Sequence, residues 1–488
     1  TFRDDVEREV GVIAPVATIE LTSRTRLTLE ANLIDWEATD DRGLPLFGAN
    51  SDDAASDRFD SSDFVLGTTD QQNDREQERF TVDLSHKISD SLRTNLQLSY
   101  GETERSFFAV FPNAINPANG QLVRTHFGTR DEFESTDARW DLEFDFDTGP
   151  VGHSGIVALQ ARSFERTDEF TGFGADQVDP DDPVSDSPFL GFGPGRGVER
   201  DESTRELFLQ DRIRVNRGPL EGFFTVAGVR RTEFEDDLDA IPDEEENSLR
   251  LGAGYTPPAA QWLTVYGNYA ESFDPQGGVT SSGAALPPQE GEQSEIGLKA
   301  SLLDDRLLLS AAVFDLENTN VPAPDPDNPD GQIAVGEQEN QGVELEAVGA
   351  LSDHLQLRAQ YTRNDSEVQN DPRFAGNELQ LAPDDSASVW LRHDAVPLPD
   401  SAPGALSLSG GIVHVGDRFA TIDNSIELTS YTRLDLNAGY TFGKNSTVRL
   451  SVKNLTDEEY FVGGDSFGLG SVVPGQARTV GVTLEHEF

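Results

Sequence analysis

PGQARTVGVTLEHEF, residues 474 to 488, is the stretch whose reading decides the fold. Val480, Val482, Leu484, His486 and Phe488 fall on one face, and Thr479, Gly481, Thr483, Glu485 and Glu487 on the other. Period-two alternation of this kind marks a β-strand with one largely apolar and one polar face. A soluble sandwich could also end in such a strand, so the weight rests on whether the pattern repeats.

It repeats upstream along the whole chain. In Thr432–Thr441, Leu434, Leu436, Ala438 and Tyr440 alternate with Arg433, Asp435 and Asn437; in Thr447–Leu455, Val448, Leu450 and Val452 alternate with Arg449, Ser451 and Lys453. Further back, strand pairs flank short turns: Arg79–Ile88 with Leu92–Glu104, Thr136–Phe146 with Ser154–Thr167, Thr204–Val215 with Leu220–Phe234, and Ser294–Leu302 with Arg306–Leu316. Long polar stretches separate these pairs, as at Asp40–Glu78, Arg105–Arg130 and Asp168–Glu199. The count is about nineteen strands, with no helical periodicity over any useful window. Short turns at one end and long loops at the other are the plan of an all-β, antiparallel transmembrane β-barrel. Lipid demands one apolar face and complete backbone pairing, so such a sheet must close.

Nineteen is odd, whereas bacterial single-chain barrels have even strand numbers. The last strand is entered from a long loop and runs inward, and so does the first. An odd number of strands is therefore expected before residue 1: one would give twenty, three twenty-two, the number of plugged outer-membrane transporters. The 488 residues are read as one barrel domain, 1–488, without its first strands.

Composition narrows the function. The formal net charge is -52, which disfavours a nucleic-acid partner. An acid-rich proteome adapted to high salt accounts for such a surface without a specific cation role. Cysteine and methionine are absent, so thiolate chemistry is excluded. No apolar run is long enough for a membrane-spanning helix, whereas a spanning strand needs only about 9–11 residues. The seven histidines show no metal-ligand spacing, and neither HExxH nor GxSxG occurs, so no enzyme is read here. GFGPGRG at 191–197 superficially resembles a phosphate-binding loop, but no helix pattern follows and Pro194 interrupts it. The carboxylates of Asp176–Asp186 and Asp325–Asp330 are of the type calcium takes, without EF-hand spacing; a solvated acidic loop is the plainer reading and calcium stays an alternative.

Several stretches then resemble one family. SFDPQGG at 272–278 follows the aromatic VYGNYAE; GEQSEIGLKASLLDDRLLLSAAVFDLENTN at 291–320, ENQGVELEAVG at 339–349, SVKNLTDEEYF at 451–461 and FRDDVEREVGVIAPVATIEL near the start keep its order and spacing. DRGLPLFG at 41–48 fits the loop after the early strands. Together they resemble the barrel domain of TonB-dependent outer-membrane receptors, in the ferric-siderophore branch. The resemblance implies an outer-membrane active transporter energised through the TonB–ExbB–ExbD complex, with Phe488 as the signal read by the barrel-assembly machinery. It also implies a plug domain and TonB-contacting segment, neither recognisable in these residues, so the chain reads as N-terminally incomplete. Cobalamin, haem or an oligosaccharide as cargo, a passive outer-membrane pore, and a soluble acidic all-β binding protein remain alternatives.

For recognition of a bulky ferric chelate, aromatic walls with a few polar anchors are suitable. The candidates are Phe107, Phe108 and Phe111 in one loop, and Phe170, Phe173, Phe189 and Phe192 in another, with Arg196 and Arg200 to attract an anionic chelate. Against this, the plainer reading of each Phe is packing within its loop or a place in the interfacial girdle. Tyr266, Tyr269, Tyr431, Tyr440 and Trp262 read as girdle or wall residues. No cofactor is expected beyond the transported chelate.

Overall fold

A computed structural model describes residues 7–39, 42–46, 72–179, 198–236, 243–325, 332–399, 403–443, 445–465 and 470–487. In chain order its strands are β1 (Arg8–Ile13), β2 (Val16–Thr22), β3 (Thr25–Thr39), β4 (Leu44–Pro45), β5 (Gln72–Lys87), β6 (Leu92–Ile115), β7 (Leu122–Thr148), β8 (Val151–Val178), β9 (Val198–Val215), β10 (Phe223–Asp236), β11 (Glu244–Tyr255), β12 (Leu263–Asp274) and β13 (Gln289–Leu302). They continue as β14 (Leu307–Pro324), β15 (Gln332–Ala350), β16 (Leu355–Asn370), β17 (Asp385–Val396), β18 (Ala405–Val415), β19 (Arg418–Phe419), β20 (Glu427–Leu428), β21 (Tyr431–Phe442), β22 (Ser446–Lys453), β23 (Phe461–Asp465), β24 (Ser471–Pro474) and β25 (Thr479–His486).

Twenty of these strands form one antiparallel sheet in sequence order. The pairs β1–β3 and β2–β3 occupy the two halves of β3, so β1 and β2 are one stave broken at Ala14-Pro15. Proline has no N–H to give the ladder, yet the Pro15 carbonyl still accepts from Ala31 N at 3.1 Å. Among the described residues the wall therefore has nineteen staves, as the alternation predicts. Among the described residues β1 and β2 pair only with β3, and β25 only with β22. Above those two edges the connections meet: β4 pairs with β24, and β24 with β23.

The alternation has a direct counterpart in exposure. Leu96, Leu98, Trp140, Leu159, Leu207, Leu209, Leu249 and Leu251 stand exposed on one face, as lipid-facing side chains must. On the other face lie polar groups such as Asn95, which donates to Asp141 Oδ2 at 2.7 Å. The C-terminal strand follows suit, with Val480, Val482 and Leu484 all exposed. Phe488 lies outside the described residues.

In one respect the fold departs from the sequence reading. Arg105–Arg130 and the first part of Asp168–Glu199 are not loops: β6, β7 and β8 run through them for 24, 27 and 28 residues. At about 3.3 Å per residue these strands far exceed the roughly 9–11 residues a crossing needs, so they stand up as a tower beyond the bilayer. Above the membrane no lipid enforces an apolar face. Charged residues such as Glu102, Glu104 and Arg105 interrupt the alternation there, while the ladder continues unbroken as far as Phe108 and beyond.

Candidate functional site

The tower tip sorts its side chains by parity. Phe108 and Val110 continue the outward parity of Leu96 and Leu98, but are only 3% and 0% exposed. They pack into a cluster with Leu122 and Val178 of β7 and β8 and with Leu44, Leu46, Ala420, Leu428 and Val472 from three other connections. Among the described residues this cluster is the main apolar core, and it acts as a roof tying the long connections to the tower. Phe108 is thus a core residue, and the expectation that it walls a ligand site is corrected.

Phe107 and Phe111 have the opposite parity and are half-buried. Phe107 meets Phe127 edge-on at 6.3 Å between centroids. The Arg42 guanidinium stacks over both Phe107 and Phe111, 5.2 and 4.8 Å from their centroids. On the same parity two residues down, Arg105 Nε donates to Asp131 Oδ2 at 2.9 Å. Arg105 and Arg166 flank the Phe133 ring at 5.2 and 5.4 Å, and Phe164 lies 5.9 Å beyond it. Sequence reading missed Arg42, Arg105, Phe127, Phe133 and Arg166. The usable signal was that Arg105, Phe107 and Phe111 share one parity, visible only once the stretch is read as a strand.

The remaining expected residues divide. Phe170 and Phe173 sit on β8, paired by backbone register with Thr129 and Phe127. Phe189, Phe192 and Arg196 lie outside the described residues. Arg200 lies on β9 directly opposite Arg166. Its Nε reaches Glu202 at 3.0 Å and its Nη2 Asp236 at 3.0 Å, so its charge is already matched by the wall. Tyr431 opens the wall strand β21 and stacks on Tyr460 at 4.1 Å, under Arg418. Tyr440, bonded to Pro403 O at 2.7 Å at the short-turn end, suits the girdle.

The tower tip is braced by a buried ionic group. Arg124 Nε donates to Asp176 Oδ1 at 3.0 Å, and His126 Nε2 stands 2.9 Å from the same oxygen. Burial works against the Asp176 carboxylate, but hydrogen bonds from His126 and Arg124 outweigh it and hold the carboxyl well below the usual range. Asp176 is thus paired with Arg124 and His126 within the brace. The rest of the first acidic stretch, residues 180–186, and residues 326–330 of the second lie outside the described residues. Among the described residues no group of three or more His, Asp or Glu side chains is arranged for a metal.

A nineteen-stave antiparallel wall, lipid-facing on one side and carrying an extended tower, matches one family description, "TonB dependent receptor-like, beta-barrel", over residues 16–455. The chain belongs to this family. It is 27% identical to the metal-pseudopaline receptor CntO of Pseudomonas aeruginosa over 99% of its own length and 69% of the relative's. It is also 27% identical to the ferrioxamine B receptor of Salmonella typhimurium, over 93% of the chain and 65% of the relative. In fold it resembles the ferric-catecholate import receptor Fiu of E. coli K12, with a TM-score of 0.84 at 20% identity, covering all of this chain and 75% of that one. The TonB-dependent receptors are outer-membrane transporters and receptors rather than enzymes, and this barrel is an outer-membrane protein.

Proposed function

We propose that the chain is the barrel of an active importer of ferric siderophores, driven through the TonB–ExbB–ExbD complex, with lipid around its apolar band. The observation that carries the reading is the half-buried aromatic face Phe107–Phe111–Phe127, joined to the guanidinium–aromatic stack of Arg105, Phe133 and Arg166. Flat aromatic rings and guanidinium planes suit a bulky, partly aromatic chelate bearing negative charge. Names among the relatives such as ferrioxamine B receptor and catecholate siderophore receptor support the same cargo. Phe170, Phe173, Phe189, Phe192 and Arg196 belong to the same proposal as neighbours in the chain, and no resident cofactor is invoked.

The test is a titration of the protein in detergent with a panel of ferric siderophores, following intrinsic fluorescence. One ferric chelate should bind tightly while its iron-free form does not. Phe107→Ala and Phe111→Ala should each weaken binding by roughly tenfold, the effect of losing one well-packed aromatic contact. No binding across a broad panel would turn the reading to cobalamin, haem or a glycan. Steady ion conductance without any ligand would favour a passive pore.

A further inference from the structure

At the short-turn end of the wall, the outward face carries a feature that cargo recognition does not use. Five of the seven histidines stand there: His86 near the end of β5, His153 near the start of β8, His354 immediately before β16, His393 near the end of β17 and His486 at the end of β25. Four of them have the lipid-facing parity. His86 continues the row of exposed Phe80 and Val82, His393 that of Val389 and Leu391, and His486 that of Val482 and Leu484, while His153 is directly opposite exposed Phe146. They therefore lie at the height of the periplasmic-leaflet headgroups, where tyrosine and tryptophan form the usual girdle. His354 joins them through His393, with ring centroids 6.2 Å apart.

The charge of this face changes from one end to the other. Toward the tower it carries carboxylates, as at Glu102, Glu134 and Glu165, in register on β6, β7 and β8. In the last few positions before the short turns, the described strand residues of the same parity include no Arg or Lys and one carboxylate, Asp211. That carboxylate is taken by His153, whose Nδ1 stands 2.8 Å from Asp211 Oδ2 and whose Nε2 stands 3.0 Å from Thr148 Oγ1. Three others are anchored through Nδ1. Ala395 N donates to His393 Nδ1 at 3.3 Å, which places the hydrogen of the neutral ring on Nε2. His86 Nδ1 is 2.9 Å from Thr25 Oγ1, and His486 Nδ1 is 3.0 Å from Ser446 Oγ, each hydroxyl belonging to the neighbouring strand. An imidazole held by Nδ1 turns its Nε2 away from the group that holds it.

We propose that this end of the barrel binds the phosphodiester groups of periplasmic-leaflet phospholipids, with His354 and His393 sharing one phosphate and His86 donating to another. The inference rests on the family assignment and is independent of the cargo. Hydrogen bonds of about 2.9 Å from two rings to two oxygens of one phosphate fit rings whose centroids are 6.2 Å apart. A donor aimed at an ionised oxygen makes a stronger bond than one between neutral groups. Carboxylates at this height would repel the phosphates, and the single one present is covered by His153.

The experiment uses the purified receptor, as its gene encodes it, in detergent containing EDTA. It is titrated with phosphatidylglycerol and, separately, with a phosphate-free galactolipid of the same acyl chains, and native mass spectrometry reads the bound lipid. His86→Phe/His354→Phe/His393→Phe keeps the rings and removes the N–H groups. It should weaken phosphatidylglycerol binding roughly tenfold and leave galactolipid binding within about twofold. His86→Gln/His354→Gln/His393→Gln keeps an N–H donor at each position and should retain most of the affinity. His414→Phe, at the tower end of β18 beside Thr432 and Asp385, should change neither lipid. Heat-modifiable migration shows that each variant is folded before lipid is added. Phosphatidylglycerol binding unchanged in the Phe variant would make the histidines plain girdle rings and overturn the proposal. An equal loss for both lipids, a Gln variant as weak as the Phe variant, or an equal loss in His414→Phe would overturn it as well. Failure of the unaltered receptor to bind phosphatidylglycerol in EDTA would rule out direct donation to phosphate.

Discussion

Arg124, His126 and Asp176 show how one buried residue governs a surface remote from the membrane. Arg124 is fully buried, and its charge is tolerated because Asp176 receives it. Asp176 is the carboxylate shared by Arg124 and His126, so its loss removes a charged acceptor from both. Asp176→Asn should therefore loosen the tips of β7 and β8, seen as faster amide hydrogen exchange there than in the membrane-spanning part of the same strands. The pH dependence has a definite sign. The folded carboxyl titrates below its unfolded value of about 3.9, so the unfolded chain takes up the proton first and acid favours opening. Protection of the tips should be constant from neutral pH down to about pH 4 and fall below it, whereas Asp176→Asn should remove that acid step. Protection unchanged down to pH 2 would mean that the brace does not hold the tip. None of this was legible from residue types: Asp176 reads as one more acid in an acidic loop, and only the register Arg124↔Asp176 reveals its partner.

The staves owe their close fit to pairs that composition also conceals. Tyr266 on β12 is directly opposite Gly297 on β13, and Trp390 on β17 opposite Gly411 on β18. A Cβ on Gly297 would stand 2.7 Å from the Tyr266 ring and 2.8 Å from the Ala311 carbonyl; on Gly411 it would overlap the Trp390 ring. Each ring lies flat across the neighbouring strand instead of projecting into the lumen. Phe224 with Gly254 and Phe314 with Gly342 repeat the arrangement. Gly297→Ala cannot be relieved by the ring alone, because the carbonyl is also in the way. It should cost about 1–3 kcal/mol and lower the temperature at which the barrel loses heat-modifiable migration on a gel. Tyr266→Ala in the same background should recover part of the loss, and full recovery would mean that the carbonyl contact is harmless. At this scale the sequence was most informative where lipid enforces alternation: stave number, turn positions and lipid faces all follow from it. It was least informative where that constraint lapses. The upper halves of β6, β7 and β8 read as loops, and with them went the parity that separates buried Phe108 from half-buried Phe107 and Phe111.

Over the whole molecule the dominant fact is charge, and its arrangement opposes folding. Just above the outward apolar residues, Glu78, Glu102, Glu134, Glu165 and Asp201 sit directly opposite one another on five successive strands. A second row, Glu76, Glu104 and Glu132, lies one step higher. Like charges opposite one another on a sheet repel. Glu165 registers this: its carboxyl is pushed up first by Asp201, then by loss of solvent, then by Glu134. On the inner wall, by contrast, carboxylates carry guanidinium partners, as in Arg162 with Asp137 and Arg230 with Glu206. Among the described residues the outer rows have no such cover, and an acid-rich chain adapted to concentrated salt would rely on mobile counter-ions instead. Raising sodium chloride to about 1 M, where the screening length falls to about 3 Å, should then raise the thermal midpoint in detergent by about 5 °C. Glu134→Gln/Glu165→Gln should raise the low-salt midpoint and flatten the salt dependence, because it breaks the row at its centre. A midpoint indifferent to salt, or lowered by it, would show that the rows are neutralised within the protein and that the acidity is no load on the fold.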